Sequence, residues 1–232
     1  MNVYLYPSNT ETELKNAYIG EYKEWTPWAN TLAYFPLEWD YKDYSWNWNN
    51  GTKSWTINFV TSWGLTYAET SSYTAWYVSF PITMNSTAYT LSWWVNLQLP
   101  SQYYRWWSIF WIWNTTNSLC GTDVWWWYNK FDVTVVGTRD WISNVAPSAS
   151  TWYHIAWIFT TTWMKMYVNW AQAYSDSNSY TLSWSSWKLF SRDALTSWDY
   201  HWALSQIIIE NKEWTQQEVS DYYNLTKSNY WL

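Results

Sequence analysis

The sequence predicts an all-β protein, a two-sheet antiparallel β-sandwich or jelly roll with a short α-helix at its C-terminal end. Three observations lead to this prediction. Short apolar and β-branched runs recur along the chain with turn-forming residues between them, which is typical of sandwiches. Helical periodicity is nearly absent before residue 214. A helix-capping motif then follows at Thr215.

The strand-like segments follow one another from residue 31 onward. In Tyr89–Leu97 the apolar residues alternate with Thr90, Ser92, Trp94 and Asn96, so the two sets lie on opposite faces of a strand. The other predicted strands are Leu32–Leu37, Trp76–Phe80, Phe131–Val135, Tyr153–Phe159, Met164–Val168, Lys188–Phe190 and Ala203–Glu210. The segment Thr160–Trp163 is a predicted hairpin turn if position 163 carries glycine.

The helix is predicted from the capping box Thr215–Glu218, in which the threonine hydroxyl and the glutamate each bond the other's backbone amide. Trp214 precedes the cap and can pack on Val219 as a hydrophobic staple. Val219, Tyr222 and Tyr223 share one face of this helix.

Composition bounds the domain organisation and the partners. Residues 1–30 are polar and charged and are predicted to be a tether or linker, and 31–232 form one domain. A net charge of −6 argues against a nucleic-acid partner. Cys120 is the single cysteine, which excludes an internal disulfide. There is no apolar run of about 18 residues and no signal-peptide pattern, so membrane insertion is not expected.

Tryptophan and glycine are present in unusual numbers. The chain has 28 tryptophans and 5 glycines, whereas about 16 glycines would be usual for this length. Tryptophan occupies positions where turns favour glycine, which tolerates positive φ without steric cost. The positions are Trp39, Trp46, Trp48, Trp163, Trp170, Trp184 and Trp187.

One hypothesis is that the gene comes from a lineage that reads UGA as glycine and is written here with UGA as tryptophan. The alternative is a genuinely tryptophan-rich protein that stacks sugars on indoles. The hypothesis does not extend to Trp94, Trp152 and Trp214, where an indole has a structural role.

Four segments in order resemble the LamG-like (concanavalin A-like) jelly-roll lectin superfamily across residues 31–226, with glycine restored at the turns. The first is an opening strand, Leu32–Asp40, followed by a D-x-S-G-N-G-N-x-G-T-like turn, Asp43–Thr52, and the second is a central strand, Tyr89–Asn96. The third is a W-Y-H strand, Thr151–Trp157, followed by a Y-x-N-G-like hairpin, Met164–Trp170, and the fourth is a last strand, Tyr200–Ile207, with the capped helix start Asn211–Glu218. The family's last strand often carries an Asp-Glu pair, and this chain has Ser205 and Gln206 there.

The resemblance implies a non-catalytic binding module that recognises a glycan or a surface protein. Such a module would be extracellular, or displayed on a cell surface or a virion. A structural decoration or adhesion domain of a phage tail or capsid is the alternative. A glycoside hydrolase of the same fold is third, because Glu38–Asp43 only approximates the E-x-D-x-x-E pattern and is expected in a turn. Oligomeric state is left open.

Many proteins of this fold carry calcium, and hard cations prefer carboxylate and carbonyl oxygens. Candidate ligands on loops are Asp40, Asp43, Asn47, Asn49 and Asp199. The alternative is that these residues bond their own backbone in Asx-turns.

Candidate sugar-binding aromatics are Tyr103, Tyr104 and Tyr128, in loop-like stretches between strands. The alternative for these tyrosines is core or edge packing. His154 lies on a predicted strand and is expected to be a hydrogen-bonded structural residue.

Overall fold

The computed structural model describes residues 30–45, 47–53, 57–70, 78–97, 110–113, 118–125, 130–135, 138–177, 186–189 and 202–232. Within these ranges, strands account for nearly all of the regular structure. They are β1 (Thr31–Phe35), β2 (Thr52–Lys53), β3 (Asn58–Ser62), β4 (Leu65–Thr70), β5 (Val78–Phe80), β6 (Ala88–Leu97), β7 (Phe110–Trp113), β8 (Ser118–Trp125), β9 (Lys130–Val135), β10 (Thr138–Ile142), β11 (Trp152–Thr160), β12 (Met164–Val168), β13 (Ala171–Asp176), β14 (Ser186–Leu189) and β15 (Trp202–Glu210). Helix α1 (Gln216–Thr226) and a 3₁₀ turn (Lys227–Tyr230) follow.

The strands form two antiparallel sheets. Sheet A has the order β13-β12-β11-β6-β15-β4-β3, and β1 also pairs with β15. Sheet B has the order β10-β9-β8-β7-β14-β5-β2. Neighbours in each sheet are often far apart in sequence, so the chain crosses repeatedly between the sheets. This confirms the predicted two-sheet sandwich with a short C-terminal helix.

The main core lies between the two sheets. Phe35 of β1 packs on Phe80 of β5 with ring centroids 4.2 Å apart, and Phe131 of β9 packs edge-on against Tyr153 of β11 at 5.2 Å. Each of these pairs joins the two sheets. The inward residues of β6 belong to the same cluster, as the alternation predicted.

A second apolar layer covers the outer face of sheet A. Helix α1 lies there, and its buried residues are Val219, Tyr222, Tyr223 and Thr226. The helix begins at the predicted cap: the Thr215 hydroxyl accepts from the Glu218 amide, and the Glu218 carboxylate accepts from the Thr215 amide. The helix therefore closes part of this face to solvent.

Strand positions agree closely with the sequence prediction for β6, β11, β12 and β15. Strand β1 ends at Phe35, two residues earlier than predicted, because Pro36 has no amide to donate to a ladder and Leu37 has φ 57°. Trp187 was predicted in a turn, which is wrong: it lies in β14 and pairs with Phe80 and Ile112.

The hairpin between β11 and β12 is confirmed. The Thr160 amide donates to the Trp163 carbonyl at 2.9 Å. The predicted tether, residues 1–30, lies outside the described residues apart from Asn30, so the domain boundary stays a prediction. Among the described residues, no helix combines the length and the apolar character needed to cross a membrane.

Candidate functional site

The corner loop, residues 36–51, joins β1 of sheet A to β2 of sheet B and is organised around Asp43. One Asp43 carboxylate oxygen accepts from the amides of Tyr34 and Ser45, at 3.0 and 2.8 Å. The other accepts from the Asn49 amide at 2.9 Å. The Asp43 amide in turn donates to the Asn50 side chain at 2.9 Å. A buried carboxylate thus satisfies three backbone donors of the loop.

Two asparagine side chains fasten the corner loop to β1. The Asn47 amide nitrogen donates to the carbonyls of Thr31 and Leu32, at 2.8 and 3.1 Å. The Asn49 amide nitrogen donates to the Leu32 carbonyl at 2.8 Å. Both amides therefore support the loop's own conformation.

Asp40 lies at the exposed side of the same loop. Its carboxylate accepts from the Lys42 amide at 3.1 Å, and from the Tyr44 hydroxyl at 3.5 Å. The Lys42 ammonium is 3.5 Å from one of its oxygens. A cation in that position competes with any bound metal ion.

These contacts fit the Asx-turn interpretation better than a calcium site. Calcium needs six to eight oxygen ligands directed at one point, whereas the Asp43 oxygens face three backbone amides. No group of three or more His, Cys, Asp or Glu side chains in the described ranges is arranged to hold a metal ion. Asp199 lies outside the described residues, and calcium binding stays a prediction.

The carboxylate pattern of the hydrolase alternative also falls in the corner loop. Glu38, Asp40 and Asp43 lie between β1 and β2 and belong to no strand. Asp43 is buried and occupied by the amides described above. A nucleophile and an acid facing one sugar across a strand are therefore not present in this segment.

Among the described residues, four tryptophans in turns or loops combine positive φ with exposed rings, one of them being Trp231 at φ 59° and 54% exposed. Trp48 has φ 56° and is 74% exposed, and Trp63 has φ 52° and is 89% exposed. Trp170 has φ 153° and is 50% exposed. Trp63 precedes Gly64 at φ 86°, so both central residues of the β3–β4 turn are positive, as a type I′ turn requires. Positive φ is a genuine outlier for a bulky residue.

Other suspected turn positions differ from these. Trp163 has no positive φ; it packs against the outer cluster, and the Lys165 ammonium lies 4.2 Å from its ring centroid. The expectation that this hairpin demands glycine at 163 is therefore not met by the backbone. Trp39 also lacks positive φ, although it is exposed. Trp46 and Trp184 lie outside the described residues.

The three tryptophans expected to be structural are all buried. Trp94 donates from Nε1 to the Thr226 hydroxyl at 3.2 Å. Trp152 packs edge-on against Tyr67 at 5.3 Å. Trp214 donates from Nε1 to the Glu210 carboxylate at 2.5 Å. Each indole has a packing partner or a hydrogen-bond acceptor, and glycine at the same position would make neither contact.

His154 is buried beneath α1 on the outer face of sheet A. Its Nε2 lies 2.7 Å from the Ser92 hydroxyl, and its ring is 5.3 Å from those of Trp94 and Tyr222. Burial lowers the pKa of His154 to about 3, so the imidazole is neutral at neutral pH. The expected structural role fits this geometry.

The predicted sugar-binding tyrosines, Tyr103, Tyr104 and Tyr128, lie outside the described residues. In the chain, the first two come between β6 and β7, and the third between β8 and β9. Helix α1 covers Trp94 on sheet A, so this aromatic side chain is closed to a ligand.

The two sheets, the crossed topology and the packed terminal helix define an antiparallel two-sheet β-sandwich. No protein-family model and no curated protein matches the sequence. Solved structures do match, at identities that establish the fold alone.

One is domain 4 of AbnA, an extracellular arabinanase from Geobacillus stearothermophilus, in complex with arabinotriose. It has a TM-score of 0.64 and 17% identity over 83% of this chain and 97% of that one. A second is from botulinum neurotoxin type C, whose cell invasion depends on two ganglioside molecules, with a TM-score of 0.67 and 11% identity over 84% of this chain. A third is the neurotoxin serotype G binding domain, at 0.61 and 12% over 86%. The chain spans about half of each neurotoxin structure, 51% and 52%.

Proposed function

We propose that this protein is a non-catalytic carbohydrate-binding module. The observation that carries the proposal is the match to the arabinanase domain solved with arabinotriose, because it extends over 97% of that domain. The neurotoxin structures, one of them from a toxin that uses gangliosides, support the same class of ligand. The loop position and the buried Asp43 argue against the hydrolase alternative.

Helix α1 covers part of the outer face of sheet A. The binding residues are therefore proposed to lie in the connections that lead into sheet B. Tyr103 and Tyr104 precede β7, and Tyr128 precedes β9; both strands belong to sheet B. A tyrosine offers an apolar ring face and a polar tip, which suits the mixed surface of a sugar. These three residues are the proposed ligand-binding residues.

The net negative charge of the chain favours an uncharged ligand over a polyanionic one. The chain has 18 acidic residues against 12 basic ones. A negative field repels polyanions and lowers their encounter rate. A neutral oligosaccharide is therefore the proposed ligand, with extracellular, cell-surface or virion display as the setting in which such a module meets it.

The direct test is isothermal titration with arabinotriose after a screen on an array of neutral and sialylated glycans. Binding to neutral glycans supports the proposal. The variants Tyr103→Ala, Tyr104→Ala and Tyr128→Ala are expected to weaken binding roughly tenfold each, about 1.4 kcal/mol. Tyr44→Ala, in the corner loop, is the matched control and should leave affinity unchanged.

The alternatives give different results in the same experiments. If the folded protein binds no glycan on the array, a structural decoration or adhesion domain is favoured. Release of reducing sugar favours the hydrolase. Repeating the titration with a chelator tests the calcium prediction, and unchanged affinity argues against a calcium-dependent site.

We further propose that positions 48, 63 and 170 carry glycine in the protein made by its own host. Positive φ and exposed indoles at these three turns support this, since glycine has no steric cost there. The exposed rings at these positions are then no part of the sugar-binding surface. UGG codons at these positions in the gene, or peptide masses of tryptophan in material from the host, would refute the proposal.

A further inference from the structure

The imidazole of His154 is held on one side only. Its Nε2 meets the Ser92 hydroxyl at 2.7 Å. Its Nδ1 is buried and has no hydrogen-bond partner in the described part of the chain. The backbone of His154 is fixed by Asn169, which donates its amide to the His154 carbonyl at 2.7 Å and accepts the His154 amide through its side-chain oxygen at 3.0 Å. In the doubly protonated ring, the Nδ1–H would therefore be buried without an acceptor.

The groups that face His154 are aromatic or neutral. Strand β6 contributes Ser92 and Trp94, and α1 contributes Tyr222 and Tyr223, whose rings lie 5.3 and 6.2 Å from the imidazole. No carboxylate is among these described neighbours.

Charged groups on α1 and beside it are engaged elsewhere or repel a cation. The Lys227 ammonium lies 5.5 Å from the centroid of the Tyr223 ring, which adds positive charge on this side. Glu218 pairs with Lys212, and Asp221 accepts from the Gln217 side chain at 2.7 Å on the exposed face. The buried Glu210 carboxylate, on β15, accepts from the Trp214 indole and the Thr31 hydroxyl. None of these groups contacts the imidazole, so an imidazolium at position 154 would have no counter-ion among them, and an unpaired buried charge is costly.

Helix α1 can separate from the sheet without breaking a strand ladder. It follows β15 and, in the described ranges, pairs with no strand. Side chains hold it: the Trp94 indole donates to Thr226 at 3.2 Å, the Tyr230 hydroxyl bonds Ser205 at 3.0 Å, and the Tyr222 hydroxyl donates to Gln206 at 3.3 Å. Local opening of such an element costs less than unfolding the sheets.

We propose that α1 is an acid-released strap, which detaches when His154 takes up a proton and thereby exposes the aromatic outer face of sheet A. The detached state leaves Trp94, Trp152 and His154 open to solvent. The closed state at neutral pH keeps them covered. Because protons bind the open state more tightly, acid shifts the balance toward it.

The size of the effect follows from the two protonation equilibria. The pKa of His154 is about 3 when covered, and about 6.5 is the ordinary value for an open histidine. Between pH 7 and pH 5 the ratio of open to closed molecules then rises about 25-fold.

Hydrogen exchange followed by mass spectrometry tests this on the whole chain at pH 7 and pH 5, corrected for the intrinsic exchange rates. Peptides from 214–232 should lose protection by about 25-fold, while peptides from β6 and β11 lose much less. The variant His154→Gln keeps a side chain able to bond Ser92 but cannot be protonated, and it should abolish the loss of protection at pH 5. The chain's other histidine supplies the matched control, His201→Gln, which should behave as the parent.

Two results would overturn the proposal. One is equal loss of protection in the helix and in both strands, which means that acid opens the whole domain. The other is a loss of protection at pH 5 that survives in folded His154→Gln. If that variant does not fold, the helix-against-strand comparison in the parent protein still decides. No glycan enters the experiment, so its outcome is independent of the proposed ligand.

Discussion

The indole of Trp94 stacks on the phenol ring of Tyr230, with centroids 4.0 Å apart and planes 16° from parallel. Strand β6 supplies one ring and the 3₁₀ turn after α1 supplies the other, 136 positions further along the chain. Trp94 also donates to Thr226 and stacks on Tyr223 at 5.8 Å. This one side chain therefore contacts α1 at two residues and the turn at a third.

Replacing Trp94 tests this relationship. Trp94→Ala removes a fully buried ring and leaves a cavity between β6 and α1, so we expect a loss of about 4 kcal/mol in the free energy of unfolding. Urea denaturation measures it. Trp39→Ala, at an exposed ring, serves as the control and should change stability by less than about 0.5 kcal/mol. Equal losses at the two positions would contradict the packing seen here.

Trp63→Gly should increase the free energy of unfolding, whereas Trp94→Ala lowers it. Relief of the left-handed strain at φ 52° contributes about 1–2 kcal/mol, and the added chain entropy of glycine offsets about 0.5–1 kcal/mol of it. A net gain of about 1 kcal/mol is expected from urea denaturation. Trp94→Gly is the matched exchange at a buried strand position and should destabilise strongly. A clear loss from Trp63→Gly would count against glycine as the host residue at this turn.

Asp43→Ala should destabilise the corner loop. It leaves the amides of Tyr34, Ser45 and Asn49 without their acceptor, and an unsatisfied buried donor costs about 1–3 kcal/mol. We expect a total loss of about 3 kcal/mol by urea denaturation. Asp43→Asn keeps one acceptor oxygen and should lose less.

Asp43→Ala and Asp43→Asn also test whether the corner loop binds calcium. Because the Asp43 oxygens serve backbone amides, the losses should be equal in calcium and in chelator. A parent protein that is markedly more stable in calcium would revive the metal-site prediction for this loop.

As pH falls, protonation of Glu210 should raise the free energy of unfolding, whereas protonation of His154 should lower it. Burial raises the pKa of Glu210 above its ordinary 4.5, and the hydrogen bond from Trp214 offsets part of the rise. The folded state thus holds its proton more tightly than the unfolded state. The contribution of Glu210 to stability therefore increases as pH falls through the folded pKa toward 4.5.

The test isolates this group in the His154→Gln background. Unfolding free energies of that variant, measured from pH 7 to pH 4.5, should show a rise on the acid side. Adding Glu210→Gln should remove it. Superimposable profiles with and without Glu210→Gln would show that the carboxyl titrates normally in the fold.

Local patterns in the sequence were sufficient for several elements. The period of two in β6 separates Leu91 and Val95, which face the main core, from Trp94 on the opposite face. The capping box fixes the start of α1, since both of its hydrogen bonds join residues three positions apart. Strands such as β3 and β13 were missed, because their polar, half-exposed residues lack a clear alternation.

The candidate site depended more on long-range contacts. Asp43 was a possible metal ligand by residue type, but the amide of Tyr34 on β1 is one of its partners. The turn at Trp63 was missed as well, and its Trp-Gly pair between two short runs was the signal that could have revealed it.

By itself, the sequence determined the all-β class, the faces of the central strand and the capped helix, because each depends on neighbours within a few residues. Only the tertiary structure decided that α1 lies over His154 and Trp94, and that Asp43 turns its oxygens inward. Those outcomes arise from contacts between segments distant in the chain, where burial sets the environment of each group and no local pattern encodes it.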